Sequence, residues 1–172
     1  MGPVIRALTG DSIVIHFRNL CSFPVSLHPH GVAYDKENEG ALSNDFYKHV
    51  GEGNAVPPGG SFTYNWNATY APDADSSTKL EAYHSHVDEG HLNAGLLGPL
   101  VIGDPARCDH ETMRPLDVDV EHFLHFMIFD EELSPYFDDN VERRFANKSS
   151  VPSKDPWWHW SNKKHALNGF LL

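Results

Sequence analysis

Cysteine is nearly absent from this chain: only Cys21 and Cys108 occur among 172 residues. Two isolated thiols are too few for a disulfide scaffold and lack the paired spacing of a structural zinc site. Basic residues are scarce as well. Thirteen Lys and Arg stand against 24 Asp and Glu, giving a formal charge of −11 with His neutral. That balance argues against nucleic acid, because phosphate binding draws on clustered cations. No apolar run approaches the roughly 20 residues of a membrane-spanning helix. The opening Met1-Gly2-Pro3-Val4-Ile5-Arg6 carries neither the basic nor the long apolar region of a secretion signal. Helical periodicity of any length is missing too. What remains is a globular composition, 40% hydrophobic, sufficient for one well-filled domain or for one domain and the start of another.

Short strands separated by turn signals organise the chain. Residues 10–17 open on Gly-Asp and continue as a β-branched run, and residues 23–30 alternate apolar with polar, so both read as strands. Residues 31–60 form a long Gly-, Asn-, Asp- and Pro-rich connection closing on Val56-Pro57-Pro58-Gly59-Gly60. Loops of that length in compact domains are more often binding segments than idle linkers. Further strands are expected at 61–66, 79–87 and 94–102, which together predict an antiparallel sandwich or barrel. At Gly103-Asp104-Pro105 the composition turns polar and charged, predicting domains at 1–105 and 106–172, the second opening with a strand at 121–129.

Histidine is what the sequence has in excess, with 12 residues. Two pairs are spaced by one residue, His28-Pro29-His30 and His84-Ser85-His86. Alternate residues of a strand face the same way, so each pair presents two imidazoles side by side. Imidazole binds copper, zinc, iron and nickel, so ligand type alone leaves the metal open. The alternative is that such pairs arise by chance and are satisfied by carbonyls and water. A cupin arrangement would place a glutamate three or four residues after the second histidine, whereas Glu37 stands seven after His30. His122 and His125 would fall on opposite faces of a strand, which disfavours a shared metal.

Taken together, Gly2-Pro3-Val4-Ile5-Arg6-Ala7, His28-Pro29-His30-Gly31-Val32, Glu37-Asn38-Glu39-Gly40-Ala41, Tyr83-His84-Ser85-His86-Val87-Asp88 and Ala94-Gly95-Leu96-Leu97-Gly98-Pro99-Leu100 resemble the ceruloplasmin, hephaestin and coagulation-factor group of cupredoxin folds. Phe129-Asp130-Glu131 and Leu167-Asn168-Gly169-Phe170 resemble the opening of that group's second domain. The resemblance implies an all-β, cupredoxin-like Greek-key β-sandwich or barrel followed by an incomplete second domain of the same kind. It implies that His28 binds the type 2 copper of a trinuclear cluster, His30 and His84 one type 3 copper, and His86 the other. Glu39 stands where the group places a proton-relaying carboxylate.

The same resemblance implies a ferroxidase-like multicopper oxidase, extracellular or membrane-tethered, that reduces O2 to water with electrons from a reductant such as Fe(II). The cluster takes eight imidazoles, so its other half is expected from a C-terminal histidine-rich domain, and this chain alone is expected to be inactive. No type 1 copper is expected here, since neither cysteine sits in a His-Cys-His motif. The group's disulfide is missing, because Thr78 and Gly103 occupy its positions. Its first strands are expected upstream, which suggests a truncated segment. The rival function is a non-catalytic interaction domain of the coagulation-factor type, or a stand-alone metal-binding protein. Asn67-Ala68-Thr69 and Asn147-Lys148-Ser149 are glycosylation sequons consistent with a secreted route. Asp45 and Glu52 are the acidic residues late in the loop where the group can hold calcium, at a spacing that departs from it.

Overall fold

A computed structural model describes residues 1–42, 51–145 and 155–171. Asn147 and Asp45 lie outside the described residues. The chain divides into two compact units, the larger formed by Gly2–Asp88 with Leu97–His122 and the smaller by Met1, Glu89–Leu96 and Phe123–Leu172.

The larger unit is built from β1 (Ile5–Leu8), β2 (Ser12–Arg18), β3 (His28–Pro29), β4 (Ser61–Asn67), β5 (Thr78–His84) and β6 (Leu97–Gly103). Two sheets result, one ordered β1-β6-β5-β3 and one pairing β2 with β4. In the second, Ile13 faces Trp66, Ile15 faces Tyr64 and Phe17 faces Phe62. These β-branched and aromatic cross-strand pairs are the contacts that stabilise an antiparallel ladder. Their shared face meets Ala7, Tyr83, Leu100 and Ile102 of the first sheet in one core, with Tyr64, Leu100 and Ile102 fully buried. The larger unit is therefore a β-sandwich, as the strand pattern predicts. Strand β6 runs parallel to β1 and antiparallel to β5, and its nearly unbroken apolar sequence suits a strand covered on both faces.

Gly98 lies directly across from Tyr83, and a Cβ there would come within 2.3 Å of the tyrosine hydroxyl. The glycine thus makes room for the ring that fills the core beside it. Residues 104–122 pack back on this unit, where Arg6 donates two hydrogen bonds to Glu121, at 3.1 and 2.8 Å, and Ser77 Oγ donates to Asp117 at 2.8 Å.

The smaller unit holds helix α1 (Gly90–Asn93), strand β7 (Phe126–Asp130), helices α2 (Phe137–Arg144) and α3 (Pro156–Ser161), and strands β8 (Lys163–Leu167) and β9 (Phe170–Leu171). β7, β8 and β9 form one antiparallel sheet. The turn from β8 to β9 is Asn168-Gly169, both at positive φ, the Asn-Gly chemistry a two-residue hairpin requires. The three helices were not expected from periodicity, being too short for a pattern to emerge. Local signals do mark them. Asp155 caps α3 by accepting from Trp157 N, with Pro156 opening the helix.

Two strands are shorter than the alternation predicts. The expected strand at 23–30 survives in the ladder only as β3, because Val25 instead pairs with Val56 of the following loop, N to O at 3.1 Å and back at 2.9 Å. The segment changes partner midway, with Pro24 unable to donate on its approach. The expected strand at 79–87 leaves the ladder after His84, and beyond it His86 makes an isolated parallel bridge with Ala41.

Candidate metal centre

His28 stands directly opposite His84 in the short β3–β5 ladder. The amide of His30 donates to Ala82 O at 2.8 Å, so the pairing continues one step past β3. With side chains alternating along each strand, both pairs fall on one face. Ring centroids are 5.3 Å apart for His28–His30, 5.6 Å for His28–His84, 4.9 Å for His28–His86, 5.1 Å for His30–His84 and 5.5 Å for His84–His86. The four histidines singled out by their spacing therefore form one cluster. His28 and His84 are half-buried, while His30 and His86 are exposed at its rim.

Two of the rings are held by backbone carbonyls. His28 Nδ1 lies 2.7 Å from Glu39 O, and His84 Nδ1 lies 2.9 Å from Ser85 O. A carbonyl only accepts, so each Nδ1 carries the proton and each Nε2 keeps its lone pair, the orientation a metal-binding histidine needs. The nearest approach of nitrogens follows from this: His30 Nε2 and His84 Nε2 are 3.0 Å apart. Without a metal, His30 Nε2–H donates to the His84 lone pair. Two nitrogens sharing one tetrahedral ion at roughly 2.0 Å bond lengths would be about 3.3 Å apart, close to the same separation.

Burial is the main reason that His28 and His84 hold protons less readily than an ordinary histidine. In both, neighbouring imidazoles push the same way and the carbonyl bond opposes. Neutral imidazole is the form that binds metal. The donor set and its orientation thus fit a copper ion at a pair of these rings. Among the described residues, no three His, Cys, Asp or Glu side chains are gathered for one ion. Any metal held on this face would need further ligands from elsewhere.

Glu39 contributes through two different groups. Its carbonyl orients His28, while its carboxylate pairs with Lys36. The loop carrying it is pinned to β4 by Asn38, which sequence reading passed over. Asn65 N donates to Asn38 Oδ1 at 2.8 Å, and the buried Trp66 Nε1 donates to Asn38 O at 3.0 Å. The spacing of Asp35 and Asn38 was a legible signal, since Asp35 Oδ1 accepts from both Asn38 N and Asn38 Nδ2 in a side-chain-closed turn. Tyr34 was also missed, its ring 5.8 Å from that of His28. Gly40 has φ of +66°, and its α-carbon crosses so close to Leu27 that a Cβ would sit 1.9 Å from Leu27 O.

The remaining candidates sit on other segments of the chain. Cys21 and Cys108 are free thiols, and burial pushes the Cys108 thiol up. Thr78 and Gly103 are direct partners in the β5–β6 ladder, and the Cys108 sulfur fills the space above Gly103, 2.7 Å from where its Cβ would be. His122 is exposed, whereas the backbone of His125 is tied to Asn168 and its Nε2 is buried. Glu52 is exposed in a 3-10 turn. Asn67 is exposed at the end of β4, its Oδ1 accepting from Ser12 Oγ at 3.1 Å.

Comparison with known proteins bears on this geometry. The sequence profile described as "Multicopper oxidase" matches residues 1–107. The chain is 44% identical to ferroxidase HEPHL1 of Mus musculus over 177 residues, a match covering 100% of this chain and 15% of that protein. It is 39% identical to coagulation factor V of Pseudonaja textilis over 181 residues, covering 99% of this chain and 12% of that one. Among solved structures it is similar to the crystal structure of a multicopper oxidase, with a TM-score of 0.51 and 28% identity over 63% of this chain and 33% of the other. The chain thus spans a small fraction of the length of the proteins it matches, and its sandwich is of the cupredoxin-like kind found in that structure.

Proposed function

This chain belongs to the multicopper oxidase family, and we propose that His28, His30, His84 and His86 supply half of a trinuclear copper site in a ferroxidase-like oxidase. The observation that carries this reading is the 3.0 Å approach of His30 Nε2 to His84 Nε2, with the His84 ring held by the Ser85 carbonyl. His28 is assigned to the type 2 copper, His30 and His84 to one type 3 copper and His86 to the other. Copper bound there supplies the reduction of O2 to water with electrons from a reductant such as Fe(II).

The chain's own residues prepare that chemistry. Burial makes His28 and His84 hold protons less readily, which favours the neutral form that binds copper. The Glu39 carbonyl fixes the His28 ring, and its carboxylate, paired with Lys36, is the group we assign to passing protons inward. The other half of the ligand set comes from a second histidine-rich domain of the same protein. The β7–β8–β9 sheet is read as the start of a second domain of the cupredoxin kind, with residues 104–122 staying on the first. An extracellular or membrane-tethered location, with Asn67 glycosylated, completes the reading.

Copper content and electron paramagnetic resonance test it, with wild type measured beside His28→Ala and His84→Ala. Nitrogen-coordinated copper that both substitutions weaken is the expected result. Copper held equally well by the variants sinks the site. In that case the similarity to coagulation factor V favours a non-catalytic interaction domain.

A further inference from the structure

We propose that the hydroxyls of Ser26 and Ser85 are positioning groups that hold both histidine pairs in register, an inference that rests on reading those histidines as a copper site. The reason lies in where the β3–β5 ladder stops. Hydrogen-bonded residue pairs recur at every second position of an antiparallel ladder. The His30 N to Ala82 O bond identifies one such pair, His28 and His84 are the next, and Ser26 and His86 would be the one after.

At that last position the strands are joined by side chains. Ser26 N donates to Ser85 Oγ at 3.2 Å, and His86 N donates to Ser26 Oγ at 3.0 Å. Both serines are nearly inaccessible, at 2% and 3% exposure. A hydroxyl can accept and donate at once, so two of them replace ladder rungs without leaving buried amides unsatisfied.

The consequence for the site is direct. A hydroxyl bridge spans a wider gap than an amide–carbonyl rung, letting residues 85–87 diverge from β3 while their position stays fixed. Released from the ladder, His86 bridges to Ala41 and still brings its ring to 4.9 Å from His28. Ser85 also presents the carbonyl that holds His84 Nδ1 at 2.9 Å. One clamp therefore sets the backbone of His86 and the ring orientation of His84, and neither serine needs to touch metal. Ser26 lies outside both His-x-His motifs, two residues before His28.

The test compares Ser26→Ala and Ser85→Ala with Ser77→Ala in the full chain. Ser77 is a buried serine of the same unit whose hydroxyl bonds Asp117 away from the histidines. Thermal melting reads general stability. Imidazole nitrogen NMR of the metal-free, histidine-labelled chain reads the His84 tautomer, and copper titration followed by electron paramagnetic resonance reads the site. Loss of the single Nδ1–H tautomer at His84, with copper affinity lowered about 10- to 100-fold, is expected for the two clamp variants and not for Ser77→Ala. An unchanged His84 tautomer in both clamp variants overturns the proposal, as does an equal copper loss in all three that merely follows melting temperature. His84→Ala serves as the separate control. If it binds copper like wild type, the copper reading fails, while the tautomer measurement still decides whether the serines position the ring.

Discussion

Replacing Gly40 by alanine is the sharpest single test of how the loop holds His28. Gly40 has φ of +66°, which costs an L-residue about 1–2 kcal/mol. The new Cβ would also lie 1.9 Å from Leu27 O and 2.5 Å from Leu27 C, both backbone atoms that cannot rotate away. Reaching even the 3.4 Å of ordinary contact requires the loop to move by about 1.5 Å. The 2.7 Å bond from His28 Nδ1 to Glu39 O, one residue away, does not survive such a shift, adding about 1 kcal/mol. A total loss of about 2–3 kcal/mol is expected, together with a His28 ring freed to change tautomer. Gly59 supplies the comparison, since it has φ of +76° but nothing within 4 Å of its Cβ position. Gly59→Ala should therefore cost only the conformational term, about 1–2 kcal/mol. Urea unfolding of the two variants, with nitrogen NMR of His28, makes the comparison. Equal losses for the two substitutions, or an unchanged His28 tautomer in Gly40→Ala, would refute the close approach as the loop's constraint.

Other expectations follow from buried groups. Burial raises the hydroxyls of Tyr64 and Tyr83 to about 12, so the folded state keeps them protonated and stability should fall as pH rises from 10 towards 12. Tyrosinate absorbance that appears well before unfolding would contradict this. His28 and His84 are lowered by burial below 6.5, so the unfolded chain binds more protons and stability should be full above pH 6.5 and decline as pH falls below it. The double variant His28→Gln/His84→Gln should show a shallower decline in its urea midpoint between pH 6.5 and 5. Trp66→Phe strips Asn38 O of its donor and leaves a small cavity in the core, for a loss of about 2–5 kcal/mol by urea unfolding. A loss well below that range indicates that the loop is not anchored there.

The sandwich was legible because its inward positions alternate in sequence, as in Ile13, Ile15 and Phe17 of β2 or Tyr64 and Trp66 of β4. The four histidines were legible for the same reason, since a two-residue period assigns a face without any knowledge of the partner strand. What escaped notice depended on pairing. The segment 23–30 alternates well enough for a continuous strand, yet Val25 pairs with Val56 and His28 with His84. Nothing in the local pattern marks that switch. Ser26 and Asn38 act through residues far along the chain, Ser85 and Trp66, so their importance is invisible until those segments meet.

That dependence also explains why the site needs its loop. β3 is only two residues long, so the ladder fixes little beyond the facing of His28 and His84. Ring orientation comes from two carbonyls, one on Ser85 at the frayed end of β5 and one on Glu39 in the loop. A side chain with two free torsions and only one strand rung behind it would otherwise sample several rotamers. The core tryptophan that anchors Asn38 therefore links the packing of the sandwich to the angle of an imidazole. Stability and metal affinity should consequently be coupled at Trp66 and Gly40, and uncoupled at Gly59, where the chain turns with nothing close by.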